Sequence, residues 1–211
     1  MTTPATQERH RFADLLGEIG PDAPTLCGDW STRDLAAHTV IRDRRPDAMP
    51  GILIPKLAGY TDKVQANLAQ SDEYDELVRK VREGAPFWSP MRIDSIDRLT
   101  NTAEFFVHLE DVRRAQPDWS ARELDADLAD DLYDGLKRSA KMMARKAPAG
   151  IALAPTGRAS IVANKREPMV EVSGPVGELV LWLYGRQAHS LVDYDGPEDA
   201  VEKLRVASFG S

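Results

Sequence analysis

The chain has 211 residues, 42% of them hydrophobic, with 27 lysines and arginines against 34 aspartates and glutamates for a net charge of -7. That length supports a sizeable core without covalent staples, and basic residues interspersed with acidic ones argue against a nucleic-acid footprint, which leaves a small molecule or a protein as the expected partner. The single cysteine, Cys27, excludes an internal disulfide, and LVLWLY at 179 to 184 falls far short of the ~20 residues of a membrane span. With the polar opening MTTPATQERHRF, which lacks a secretory signal, this predicts a cytoplasmic protein with no membrane association.

In chain order, Phe12, Leu15, Leu16 and Ile19 recur at the spacing of one helix face, and Gly20-Pro21 stops that helix. In WSTRDLAAH, Ser31 is placed to cap a second helix, with Asp34 reaching back as an acidic variant of the capping box, and Arg45-Pro46 ends it. The Pro- and Gly-rich crossing RPDAMPGILIP leads to helical stretches at 57 to 70 and 72 to 84, the latter opened by Ser71 or Asp72. Another helix spans 96 to 115, and the run Leu128, Leu132, Leu136, Ala140 gives a long amphipathic one.

After Pro148 the period changes. GIALAP, ASIVAN and MVEVSG read as short strands, GELVLWLYGR as a buried helix, SLVDYDG as a further strand and PEDAVEKLRVAS as a closing helix. The expected fold class is α+β: a helical bundle over 1–147 followed by a small α/β module over 148–211.

The chemistry is concentrated in NTAEFFVHLEDVRRA at 101 to 115. At ~100° per residue, Asn101, Glu104, His108 and Asp111 share an arc of roughly 80° with Phe105 and Val112 beside it, whereas Glu110, Arg113 and Arg114 fall on the opposite side and are expected to face water. A buried carboxylate and imidazole need a hydrogen bond, an ion pair or a metal. An isolated Glu-His pair one turn apart is ordinarily just that pair. His38, however, lies on a helix face with Leu35 and Ile41, and two histidines with a glutamate form the donor set of a catalytic zinc with one open position. A di-iron centre would require paired Glu-x-x-His motifs that the chain lacks. His10 points off its apolar face and is expected to be solvated, and His189 has no sequence feature that draws it to the site.

The segments LCGDWSTRDLAAH, NTAEFFVHLEDVRRA and VSGPVGELVLWLYGR together resemble the mycothiol-dependent maleylpyruvate isomerase family, over nearly the whole chain, with IRDRRPDAMPGI pointing to an uncharacterised actinobacterial branch. The resemblance implies a DinB-like four-helix bundle. It implies a divalent metal, usually zinc, on His38, Glu104 and His108. It also implies a functional arginine at Arg186 and mycothiol as the thiol cosubstrate.

A cation with an open position would hold that thiol as a thiolate, for addition to or transfer onto a small electrophile. Arg42 and Arg45, one and two turns after His38, are placed to grip a substrate carboxylate, although ion pairs with Asp43 and Asp47 account for them equally well. Asp34, Asn101 and Asp111 are candidates to steer the imidazoles through their other nitrogens. Cys27 precedes the second helix's cap, several turns from the inferred metal, and reads as a small buried hydrophobe. The competing readings are a non-catalytic metal-binding or stress-related bundle and, further off, a carrier of lipids.

Overall fold

Helix α1, Pro4–Ile19, starts where Thr3 accepts a hydrogen bond from the Thr6 amide and proline occupies the first turn, and it ends at Gly20. Helix α2, Thr32–Arg44, begins at a capping box. The Ser31 amide and hydroxyl both donate to the Asp34 carboxylate, at 3.0 and 2.7 Å, and the Asp34 amide returns a bond to Ser31. Helix α3 is Ala58–Ser71 and α4 is Tyr74–Glu83. The latter opens at Glu73 without a side-chain cap, in place of Ser71 or Asp72. Helix α5, Asp94–Arg113, is the longest. This computed structural model describes residues 2–45, 47–48, 58–89 and 92–207; most of the RPDAMPGILIP crossing and the first residue of the expected 57 to 70 helix lie outside them.

Helix α1 packs against α4 and α5, and α2 against α3 and α4. The shared core holds Phe12, Leu16, Leu35, Val40, Leu77, Val81, Phe105, Leu109 and Val112, each all but inaccessible to water. Phe12 and Phe105 meet with ring centroids 6.3 Å apart. Each such side chain contributes about 1.5–3 kcal/mol through its burial. The Tyr74 hydroxyl, brought into this core by α4, donates to the Leu16 carbonyl at 2.9 Å.

The chain divides into two compact units after Trp119, where the sequence predicts a boundary after Ala147. The difference is helix α6, Ala126–Met143, whose apolar stripe of Leu128, Leu132, Leu136 and Ala140 suits a bundle equally well on paper. In the structure α6 belongs with the sheet. The Tyr133 hydroxyl donates to the Ala159 carbonyl at 3.0 Å, and Asp130 pairs with Arg158 at 2.6 Å.

The strands of this second unit are β1 Gly150–Pro155, β2 Ile161–Asn164, β3 Met169–Gly174 and β4 Asp193–Asp195, in sheet order β2-β1-β3-β4. The central pair is parallel, with Ile151 opposite Val170 and Leu153 opposite Val172, and all four side chains are buried; both outer pairings are antiparallel. Helix α7, Val176–Leu183, is buried throughout, and its Trp182 indole donates to the Tyr194 hydroxyl at 2.7 Å. Helix α8, Glu198–Arg205, closes the unit. The described residues therefore form an α+β protein of eight α-helices and a four-stranded sheet, and none of these helices is long and apolar enough to cross a membrane.

Gly150 sits where β1 passes the backbone of Arg166 so closely that a β-carbon would overlap the Arg166 carbonyl oxygen. Because a backbone atom cannot swing aside as a side chain can, Gly150→Ala should lower stability by about 1–3 kcal/mol in chemical denaturation. Gly17→Ala, exposed on α1 with only ordinary contact to Val78, should be neutral or stabilising.

Candidate metal centre

The register of α5 positions the site. One turn of helix carries Glu104 and His108 onto the same side, and α2 brings His38 opposite them. Oε1 of Glu104 lies 2.9 Å from Nε2 of His108 and 3.7 Å from Nε2 of His38, and the donor atoms of all three lie within 4.8 Å of one another. The two imidazoles meet edge to face with centroids 5.5 Å apart, and Trp30 lies against His38 at 5.1 Å. Donors at ~2.0–2.1 Å around a tetrahedral zinc are separated by roughly 3.3 Å, so small side-chain adjustments would seat an ion here. His108 satisfies a further requirement of a metal ligand, since its Nδ1 is 2.9 Å from the fully buried carboxylate of Asp111, which fixes the ring and leaves Nε2 for the cation. The residues present fit a divalent metal.

Charge inside the cluster is balanced unevenly. Burial alone would push the Glu104 carboxyl up, but Arg42, His108 and a bond from His38 together hold it well below the usual carboxylate range. For His108 burial disfavours the charged ring, and Glu104 and Asp111 overcome it, holding the imidazolium well above the ordinary histidine range. His38 goes the other way: burial lowers it, with His108 and Arg42 adding to that effect against the pull of Glu104. The metal-free cluster is accordingly a carboxylate, an imidazolium and a neutral imidazole.

Of the two arginines on α2, Arg42 reaches the cluster, with Nη1 3.0 Å from Glu104 Oε1. Arg45 does not. It forms a two-pronged pair with Asp47 at 2.8 and 2.7 Å on the surface, where Asp47 also accepts from Tyr60. Asp34 is committed to the capping box and steers no imidazole. Asn101 is likewise engaged elsewhere: it donates to Asp97 at 2.8 Å, within a buried network in which Arg9 bridges Asp97 and Asp43 and lies over the Phe105 ring. Gly84, at positive φ, lies so close to the Arg9 guanidinium that a β-carbon would overlap it. Arg186 belongs to the second unit, where its guanidinium turns back onto the Tyr184 carbonyl. His10 is half-buried, lining a polar cavity of about 140 Å³ with Arg82 and Arg92, and His189 lies in a short turn of the second unit.

Two expectations are overturned by packing. Glu110 and Arg114 do not face water: both are buried, Glu110 accepts from Arg113 and Arg114 at 2.7 Å each, and Arg114 lies over the Trp119 ring. Cys27 is not remote from the site. Its sulfur lies 3.1 Å from the Asp111 carboxylate, because the loop before α2 is tied to α5 by a bond from the Leu26 amide to the Asp111 carbonyl. Cys27 and Trp30 are site neighbours that periodicity could not find, since a loop has none; the only sequence signal was their proximity to the His38 segment.

No protein-family model matches the chain, and no curated protein matches it significantly. Among solved structures it is similar to the crystal structure of the mycothiol-dependent maleylpyruvate isomerase, at 15% identity and a TM-score of 0.61, covering 92% of this chain and 96% of that one. A histidine-to-alanine mutant of that isomerase matches over the same shares at 15% identity and a TM-score of 0.58. The relation is one of fold.

The raised His108 and depressed Glu104 dictate how the metal-free site responds to pH. The His108 ion pair contributes stability fully below the unfolded histidine value of 6.5 and loses it as pH rises through the higher folded value, whereas Glu104 contributes above 4.5 and loses it in acid. In the presence of chelator, native protein should exceed His108→Gln by about 1.5–3 kcal/mol near pH 6, with the difference shrinking as the solution is made alkaline. Denaturant titrations across pH provide the check, and a difference that grows with pH would contradict the charge assignment.

Proposed function

We propose that the first unit is a DinB-like metal-binding bundle and that His38, Glu104 and His108 hold one divalent cation, most simply zinc, for a thiol-dependent transferase or isomerase reaction on a small electrophile. The observation that carries this reading is the convergence of three donors from two helices, with Asp111 bracing the far nitrogen of His108. The fold likeness to mycothiol-dependent isomerases supports mycothiol as the thiol. When bound, such a cation acts as a Lewis acid that holds a thiol in its thiolate form.

The chain's own residues define the rest of the chemistry. His38 is held neutral, so its lone pair is available without loss of a proton, whereas His108 must release its proton to ligate. Glu104 contributes the charge that makes the site attractive to a cation. Arg42, with 16% of its side chain exposed beside a Glu104 that is 21% exposed, stands on the solvent side, where its guanidinium can exchange a Glu104 oxygen for a substrate carboxylate. Arg186 is proposed as the arginine the second unit contributes to activity. A bundle that keeps the ion but turns nothing over is the alternative.

Purified protein should carry about one divalent metal per chain, and His38→Ala or His108→Ala should each remove it while helix content is retained. Full occupancy in both variants would contradict the assignment. With mycothiol and a chloro-nitroaromatic electrophile, consumption should be abolished by chelation and restored by metal. Metal binding without consumption would leave the non-catalytic alternative.

A further inference from the structure

We infer that Cys27, His108 and Asp111 form a second cation position, on the opposite edge of the His108 ring from His38 and Glu104, which takes a soft divalent cation and competes with the first position for that one imidazole. The sulfur of Cys27, a ring nitrogen of His108 and a carboxylate oxygen of Asp111 all lie within 4.8 Å of one another, with Asp111 Oδ2 3.1 Å from the sulfur and 2.9 Å from Nδ1 of His108. Around a tetrahedral ion with sulfur at ~2.3 Å and nitrogen and oxygen at ~2.0–2.1 Å, neighbouring donors are separated by roughly 3.3–3.5 Å. The two separations that involve Asp111 need to open by only a few tenths of an ångström.

The loop that delivers the thiol is built. The Cys27 amide donates to the Thr25 hydroxyl at 3.1 Å, that hydroxyl donates to the Trp30 carbonyl at 2.8 Å, and Pro24 bridges to Ser31 beside the capping box. Together with the Leu26 amide on the Asp111 carbonyl, these bonds hold Cys27 against α5 before any ligand arrives. Asp111 is fully buried and Cys27 half-buried, so the approach is from the cysteine side.

Donor chemistry separates the two positions. The first offers nitrogen, nitrogen and oxygen; the second offers sulfur, and thiolate selects soft cations. Charge favours a divalent ion here, because a thiolate and a carboxylate with a neutral imidazole bring the buried assembly to zero net charge. Binding forms one bond each from sulfur, nitrogen and oxygen to the cation, and the thiol and imidazolium protons leave to solvent. A neutral imidazole has one lone pair, so His108 ligates through Nδ1 or through Nε2, and occupation of one position empties the other.

Cadmium is the probe, and its thiolate charge-transfer absorption in the near ultraviolet is the readout. The native chain should develop this band to saturation at about one cadmium per chain, and cadmium loading should abolish the visible spectrum of cobalt held in the first position. His38→Ala should keep the cadmium band while losing cobalt. Asp111→Asn and His108→Ala, which retain the thiol, should lose saturable binding. Cadmium resonance spectroscopy of the native chain should report a single sulfur donor, independently of whether any variant folds. No band in native protein, undiminished cadmium affinity in His108→Ala, or simultaneous binding of cadmium and cobalt would overturn the inference. Failure of the native chain to bind cobalt at all, with its cadmium band present, would count against the first position and leave the second standing.

Discussion

Everything at the candidate site depends on the doubly held imidazole of His108. Every side chain of α5 from 105 to 112 is buried, so the helix has no exposed face on this stretch on which to place a charge. A histidine there is tolerable only if its ring nitrogens find partners, and the helix provides an acceptor for each from its own sequence: Glu104 one turn before on Nε2, and Asp111 three residues after on Nδ1. This local arrangement aligns the ring, sets its charge and aims one nitrogen at His38. Without Asp111 the ring would lose the partner of its Nδ1; without Glu104 it would lose the partner of its Nε2.

Two charged systems thus run through the same unit without sharing members. Arg9, Asp43, Asp97 and Asn101 form a buried ion network over one edge of Phe105. Arg42, Glu104, His38, His108 and Asp111 form the other. The first is the more deeply buried, its central guanidinium held by two carboxylates and an aromatic ring and pressed against Gly84, with Arg9 and Asp97 on the wall of the polar cavity beside His10. In the second, the partial exposure of Arg42 and Glu104 leaves a path to solvent.

Local sequence signals translated well into structure where the physics was local. The Ser31-Asp34 capping box, the Gly20 stop, the Glu104-His108 spacing and the β-branched strand runs all depend on neighbours within a few residues. Legibility ended where tertiary packing decides. A helical wheel assigns Glu110 and Arg114 to one side of α5 but cannot say whether that side meets water. The same arc placed Asn101 with Glu104, yet Arg9 from another helix draws Asp97 and Asn101 into its own network. Likewise the stripe of α6 announces a buried face and not the sheet it covers, and Cys27 reaches Asp111 through a loop whose path has no period to read.

X-ray absorption at the zinc edge of the zinc-loaded native chain tests the central claim most directly. The account predicts an inner shell of nitrogen and oxygen only, with the outer scattering of two imidazoles. A sulfur atom in that inner shell, or scattering from fewer than two imidazoles, would contradict it.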